Sequence, residues 1–248
     1  MASTWFNSNT NHVAASVSEF TGVMGYCEYE APMVLQKIKT KPSKAVLAGL
    51  EAHIEEEEYE KEHVVLEEVT LEQIADPIQN IEFPREYIHT RMQSNIKIDN
   101  KDTIVTLYGR TDKMKRTNSV LSVEDDKFPE KVFPYLKKDT PYDNQLLQIL
   151  VYLNSDYSHH VKDNDDWFEI EHVSKEWVIN IRDKHNNNML VKRFSGKCDT
   201  HETAHLNRTV ERFASLLLGA IKPIHHNTVG KCIVCKYRSM CQAKMDGA

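Results

Sequence analysis

Long apolar runs are missing from this chain. None of its 248 residues lies in a stretch approaching the roughly 20 consecutive apolar residues that a membrane-spanning helix needs. The start, Met1 to Asn11, is polar and holds no apolar signal core, so a cytoplasmic location with no membrane partner is the expectation. Internal repeats and low-complexity linkers are also absent, which excludes solenoids and arrays. Cysteine is scarce and odd in number, at five, which excludes a fully paired disulfide framework. Basic charge is in deficit: 31 Lys and Arg stand against 37 Asp and Glu, for a net charge of −6. That balance argues against a protein that coats nucleic acid through its overall charge, although a local basic track remains open to it.

What is present is ordinary globular material, 40% hydrophobic and 27% charged. It suffices for one large domain, or one domain with a small appendage, around a substantial core. The charge is uneven. The stretch from Glu51 to Glu72 is dense in glutamate, whereas Lys222 to Ala248 is basic. Residues 1–15 read as a loose, flexible N-terminus, 16–221 as one domain, and 222–248 as a cysteine-rich tail.

Within the domain, Ser16 to Lys39 reads as a helix capped by Ser16 or Ser18. A second helix starts near Ser43 and runs through the glutamates. A third, short one lies between Thr70 and Pro77. The period then changes to two. Thr103 to Met114 and Ser119 to Lys127 are rich in Val, Ile, Thr and Leu, and the short polar Lys115 to Asn118 between them reads as the turn of a β-hairpin. Asp143 to Leu153 is helical, with Asp143 or Asn144 near its N-cap. Asn154 to Asp166 reads as a polar loop. Trp167 to His172, Glu176 to Arg182 and Met189 to Phe194 are strand-like, with a turn at Asn186 to Asn188. Thr203 to Ala220 is an amphipathic helix, with Leu206, Val210, Phe213, Leu217 and Ile221 at helical spacing. This order describes an α/β domain with a mixed central sheet flanked by helices.

One constellation carries chemistry. Residues two apart on a strand share a face, so Asp125 and Lys127 project together and Asp126 points away. A hairpin brings Asp112 beside them. Two hard carboxylates at one cavity suit Mg²⁺ or Mn²⁺, and Lys127 can orient a water or stabilise developing charge. An Asp-x-Lys triplet alone is common on solvated strand ends, and Glu124 or Asp126 would replace Asp125 if the register slipped by one. The surroundings favour a site. Gly109-x-x-Asp112 precedes the triplet, and a helix follows on which Gln145, Gln148 and Tyr152 share a face.

With these residues in view, the chain resembles the PD-(D/E)xK nucleases, most closely their RecB-like branch. The resemblance rests on Asp112, Asp125-Asp126-Lys127 and Gln148-x-x-x-Tyr152. It implies a restriction-endonuclease-like core in which Asp112, Asp125 and Lys127 are catalytic. Gln145, Gln148 and Tyr152 would position nucleic acid. The Gly49-x-x-x-His53 spacing matches an upstream motif of that branch, making His53 a metal ligand beside Asp112, Asp125 and the backbone carbonyl of Asp126. The bland alternative for His53 is an exposed helix residue in a solvated glutamate face. Thr111 stands where the family carries Pro, and Asp125 where it more often carries Glu.

The cysteines narrow the resemblance. Cys232-x-x-Cys235-x-x-x-x-x-Cys241 is a compact thiolate array that needs a fourth ligand. Cys27, ahead of the histidine helix, is the candidate, with Cys198 as the surplus thiol. In this order the motifs resemble the CRISPR-associated iron–sulfur exonuclease ("Cas four") family, over residues 16–245. That implies a 4Fe-4S cluster stapling the tail to the N-terminal helices, whereas spacing alone equally allows a four-cysteine Zn²⁺ site. The implied activity is a Mg²⁺- or Mn²⁺-dependent deoxyribonuclease, an exonuclease on single-stranded DNA or DNA ends. The implied partners are DNA, a CRISPR integrase or a helicase, and further copies of the chain. No Gly-x-x-x-x-Gly-Lys-Ser/Thr motif is present, so unwinding would fall to that helicase. The competing reading is a non-catalytic nucleic-acid-binding or assembly subunit whose metal site is structural.

Overall fold

The computed structural model describes residues 4–7, 10–41, 44–63, 85–88, 91–98, 103–116, 119–161, 164–168 and 174–245. The chain opens with strands β1 (Trp5–Asn7) and β2 (His12–Ser16), then helix α1 (Val17–Gly25), a 3₁₀ turn (Glu28–Glu30), and helices α2 (Ala31–Leu35) and α3 (Lys44–His63). Strands β3 (Arg85–Ile88), β4 (Arg91–Ile98), β5 (Thr103–Arg110), β6 (Lys113–Arg116) and β7 (Val120–Lys127) follow. Then come helices α4 (Phe133–Leu136) and α5 (Asp143–Leu153), strands β8 (Asp156–Val161), β9 (Asn164–Phe168), β10 (Ser174–Asp183) and β11 (Met189–Lys197), and helices α6 (Thr200–Leu217) and α7 (Val229–Val234).

The protein is mixed α/β, but its strands form two sheets where one central sheet is expected. One has the order β1-β2-β5-β4-β8-β9 and the other β11-β10-β7-β6-β3. Among the described residues each contains a single parallel pair, β2 with β5 and β7 with β10, among antiparallel ones. The expected hairpin is therefore corrected. The apolar run from Thr103 to Met114 breaks at Thr111 and Asp112: β5 pairs with β4 in one sheet, and only β6 pairs with β7. Alternation along the run gives no sign of this, because both pieces are equally strand-like.

The segment expected to be loose is also corrected. Residues 12–16 form an inner strand, with Val13, Ala14 and Ala15 fully buried. They carry only small and β-branched side chains, which is what a strand covered on both faces accepts. Ser16 ends that strand and caps α1 as expected. Its hydroxyl accepts from the Glu19 N–H at 3.2 Å, and the Glu19 carboxylate accepts from the Ser16 N–H at 3.1 Å, a reciprocal capping box. The single helix expected over Ser16 to Lys39 is broken at Tyr26 and Cys27 into α1, the 3₁₀ turn and α2. The expected polar loop carries β8 and the start of β9. The helix expected between Thr70 and Pro77 lies outside the described residues.

The core joins Val13, Phe20, Leu107, Ile149, Leu150, Ile179 and Phe213, all fully buried, from both sheets and from helices α1, α5 and α6. The amphipathic stripe on α6 is borne out at Leu206, Val210, Phe213 and Leu217, all buried. Among the described residues no helix is long and apolar enough to cross a membrane.

Candidate active site

Strand β7 ends in Glu124-Asp125-Asp126-Lys127, paired on one side with β6 and on the other with β10. Double pairing fixes its register, and alternation sorts the four side chains onto two faces. Asp125 and Lys127 share one, with the Lys127 Nζ 2.6 Å from the Asp125 Oδ2. Glu124 and Asp126 take the other. Asp126 accepts from Asn180 Nδ2 at 3.0 Å and Arg182 Nε at 2.9 Å, with Lys113 Nζ at 3.3 Å. Glu124 accepts from Asn180 and faces Arg193. These partners hold the Asp126 carboxyl below the ordinary aspartate range although burial acts in the other direction. Asp126 is thereby committed to the fold, and Asn180, Arg182 and Lys113 are the partners that the sequence reading missed.

Asp112 sits between β5 and β6, where the chain passes from one sheet to the other. Its Oδ2 accepts from the backbone N–H of Asp126 at 2.9 Å, so it reaches β7 without belonging to a strand. Asp125 is 1% exposed. Burial pushes its carboxyl up to about 6; Lys127 opposes the rise, and the Asp112 charge adds to it. Burial works against the charged form of Lys127, but Asp125 and Asp112 outweigh it and raise its pKa. Lys127 is held as an ammonium, which makes it a donor of hydrogen bonds and of positive charge, and unsuited to accept a proton.

The wall behind this pair is α5. Lys127 Nζ donates to Gln148 Oε1 at 2.9 Å, and Gln148 Nε2 donates to the Tyr152 hydroxyl at 2.9 Å. The result is a line from Asp125 through Lys127 and Gln148 to a buried Tyr152. Gln145 does not join it. Its Oε1 accepts from the Tyr142 N–H at 3.3 Å and its Nε2 donates to the Tyr135 hydroxyl at 3.0 Å, so it closes the first turn of its own helix. The N-cap is Tyr142, one residue earlier than expected. Gly109 has a steric reason: a Cβ there would lie 2.8 Å from Met92 Sδ, 2.9 Å from Tyr152 Cε1 and 3.0 Å from Val17 Cγ2.

The donors present suit a hard divalent cation. The Asp125 Oδ2 is buried and ion-paired with the Lys127 ammonium at 2.6 Å, and the Asp112 charge bears on the same carboxyl; two hard carboxylates brought together in this way suit such an ion. His53, on α3, stacks edge-on against Phe128 at 4.7 Å between ring centroids, and its charge bears on Asp125. Two tighter groups of ligand atoms, each within 4.8 Å of one another, lie elsewhere among the described residues: His225, His226 and Cys232, and Asp199, His201 and Glu202. Asp199 and Glu202 form the capping box of α6, which accounts for the second.

The tail folds back on the turn that follows α1. Cys27, Cys235 and Cys241 lie close enough for their charges to interact, and Cys232 bears on Cys235. Burial pushes the Cys27 thiol up to about 11 and raises Cys235 as well. Backbone N–H groups of Tyr237 and Met245 donate to Cys235 and Cys232 sulfur, each at 3.4 Å. Cys198 stands apart, against Asn154 and Thr203. Three ties hold the tail. Glu28 accepts from Arg212 of α6 at 2.6 and 2.7 Å and from the Ile224 N–H at 2.6 Å. Tyr26 donates its hydroxyl to the Lys231 carbonyl at 2.8 Å. Buried Glu30 faces Lys236 at 3.5 Å.

His225 and His226 have no counterpart in the sequence reading. Their Nε2 atoms lie 3.7 and 3.8 Å from Cys232 Sγ. The His226 Nδ1 accepts from the Thr228 N–H at 2.9 Å and the His225 Nδ1 from the Asn227 N–H at 3.0 Å. A neutral imidazole that accepts at Nδ1 carries its proton on Nε2, which for His226 makes the ring a donor toward Cys232; the His225 Nδ1 also lies 3.3 Å from Asn227 Oδ1.

No family model matches the chain, and neither does any curated protein. Three solved structures overlap most of it at low similarity. The protein SSO0001 is 14% identical, with a TM-score of 0.48 over 95% of this chain and 88% of its own. An alkaline exonuclease from Laribacter hongkongensis is 11% identical, with a TM-score of 0.43 over 87% of this chain and 92% of its own. A protein provisionally named an exonuclease, from Eubacterium rectale, is 12% identical, with a TM-score of 0.46 over 97% of this chain and 92% of its own. At these values the likenesses carry no argument about chemistry, which is read from the side chains alone.

Proposed function

We propose that the chain is a divalent-metal-dependent nuclease that hydrolyses phosphodiester bonds in DNA, acting as an exonuclease on single strands or ends. The observation that carries the reading is the buried Asp125 carboxylate, ion-paired with Lys127 at 2.6 Å on the same strand face and acted on by the Asp112 and His53 charges. Asp112, Asp125, His53 and the carbonyl of Asp126 would hold Mg²⁺ or Mn²⁺. When bound, such an ion lowers the pKa of a water and stabilises charge on the scissile phosphate. Lys127 donates to the attacking water or to a phosphate oxygen, and its charge is matched to the anion that develops there. Gln148 fixes the ammonium, and Tyr152 fixes Gln148. Overall, water adds at phosphorus and one P–O ester bond breaks.

The test is cleavage of labelled single-stranded DNA by the purified chain with Mg²⁺ or Mn²⁺. Loss of cleavage in Asp112→Ala and in Lys127→Ala, with the fold intact, is the expected result. Cleavage that persists in both variants removes this site. Salt-sensitive DNA binding with no cleavage under any metal favours a non-catalytic binding subunit.

For the tail we propose a 4Fe-4S cluster on Cys27, Cys232, Cys235 and Cys241. The backbone N–H donors to Cys232 and Cys235 support it, because metal-bound thiolates accept such bonds. Anaerobically purified protein should show iron, sulfide and a broad visible absorbance. Cys27→Ala should lose them and Cys198→Ala keep them. Zinc without iron would assign a four-cysteine zinc site instead.

A further inference from the structure

The segment between β7 and α5 carries exposed rings that the core does not use. Phe133 is 62% exposed and Tyr142 36%. A lone exposed aromatic is unremarkable, but these two are each covered by a lysine: Lys137 Nζ lies 4.4 Å from the Phe133 ring centroid and Lys138 Nζ 4.4 Å from that of Tyr142. A third such pair comes from the other end of the chain, with Lys231 Nζ 5.1 Å from the Tyr26 ring centroid.

The second and third pairs line one cleft of about 480 Å³, to which the start of α5 and the segment before it contribute Tyr142, Lys138 and Asn144 and the chain's two ends contribute Tyr26, Lys231 and Val234. Gly25 also lines it, so close to Asn144 that a Cβ would lie 2.4 Å from the Asn144 Cα. Two ammonium groups line the cleft against the single carboxylate of Asp143. The cleft connects to the candidate site through side chains. Tyr142 packs edge-on against Tyr135 at 5.0 Å, and Tyr135 lies close enough to Lys127 for their charges to interact.

We infer that this cleft is a subsite for unpaired nucleotides of the substrate strand, with phosphates at Lys138 and Lys231 and bases against Tyr142 and Tyr26. The inference extends the nuclease proposal by naming where the strand lies beside the cutting centre. Its chemistry selects the ligand class. A ring with a cation on its face offers stacking together with a phosphate partner, the combination that single-strand binders use without base preference. A duplex keeps its base faces stacked on one another and cannot use the rings in this way.

The experiment measures binding of a fluorescent oligothymidylate to the full chain in chelator, so that turnover plays no part. Tyr142→Ala should weaken binding about tenfold, and Tyr142→Phe, which keeps the ring, should bind as the parent does. Lys138→Ala and Lys231→Ala should each lower the slope of log Kd against log salt by about one. Lys192→Ala serves as control: that residue also lies over an aromatic ring, Phe194, at 5.5 Å, on another part of the molecule, and it should change neither quantity. Unchanged affinity and salt slope in Tyr142→Ala, Lys138→Ala and Lys231→Ala would overturn the inference, as would equal losses on a duplex of the same length. A chain that binds through these residues but cuts neither DNA nor bis-p-nitrophenyl phosphate keeps the subsite and loses the nuclease.

Discussion

Lys127 Nζ lies between Asp125 Oδ2 at 2.6 Å and Gln148 Oε1 at 2.9 Å, so one ammonium joins the end of a β-strand to the middle of a helix. Lys127→Ala should reduce turnover by about 10²–10³-fold, the range for removing one donor from a developing anion. Gln148→Ala leaves the charge in place and loosens only its position, so its loss should be smaller and should fall on kcat. Steady-state kinetics on a short oligonucleotide separates the two. Equal losses in both variants would show that Gln148 does more than hold the lysine.

The Asp125 carboxyl gives the metal-free protein a pH signature. Its pKa is raised from 3.8 to about 6. The protonated form is therefore the one the fold favours: the stability it contributes is complete below about pH 4 and lost as pH rises through about 6. A cation competes with that proton. Mg²⁺ affinity should accordingly fall as pH drops below 6, and ¹³C NMR in chelator should show one aspartate carboxyl titrating near 6. An aspartate at that position titrating near 4 would contradict the burial on which the site rests.

Gly109 is tested by its own missing atom. Gly109→Ala places a methyl against Met92, Tyr152 and Val17 at 2.8–3.0 Å, and overpacking of this kind costs about 1–3 kcal/mol. Urea denaturation should show that loss. Because Tyr152 supports Gln148, turnover should fall alongside it. A variant as stable as the parent would mean that the three neighbours move aside freely.

Glu28 joins the tail to α6. Glu28→Ala removes acceptors from Arg212 and from the Ile224 N–H. Burial opposes its ionisation, but the Arg212 and Ile224 bonds outweigh that and hold its pKa low. Hydrogen bonds to a charged group contribute on the order of 2 kcal/mol, less here because Arg212 is 32% exposed and solvent screens the pair. Limited proteolysis should cut the variant within the tail sooner than the parent, with the rest of the domain resisting equally in both.

The sequence was most legible where one local rule decides the outcome. Ser16 or Ser18 is the expected cap of the first helix and Ser16 takes that place, and the stripe from Leu206 to Leu217 marks a buried helix face. Alternation along β7 sorts Asp125 and Lys127 from Asp126, and the structure keeps that sorting. What stayed hidden depends on distant partners. Nothing near Asp126 signals Arg182, and nothing near Ala14 signals that two strands enclose it. The break at Thr111 and Asp112 is invisible because the strand-like text continues across it. Gln145 shares a helical face with Gln148, yet its position near the helix start gives it a capping task instead. His225 and His226 were passed over because their meaning depends on where the chain turns to meet Cys232.

Helix α5 reaches from the Lys127 contact at Gln148 to the cleft at Tyr142 and Asn144. An α-helix advances about 1.5 Å per residue, so the two places stand about 9 Å apart along a single stiff rod. A loop in that position could stretch; this rod cannot. On the proposed reading helix α5 would act as a ruler: a strand seated in the cleft would present the same bond to Lys127 each time, and the end left by cutting would have a fixed length measured from the cleft.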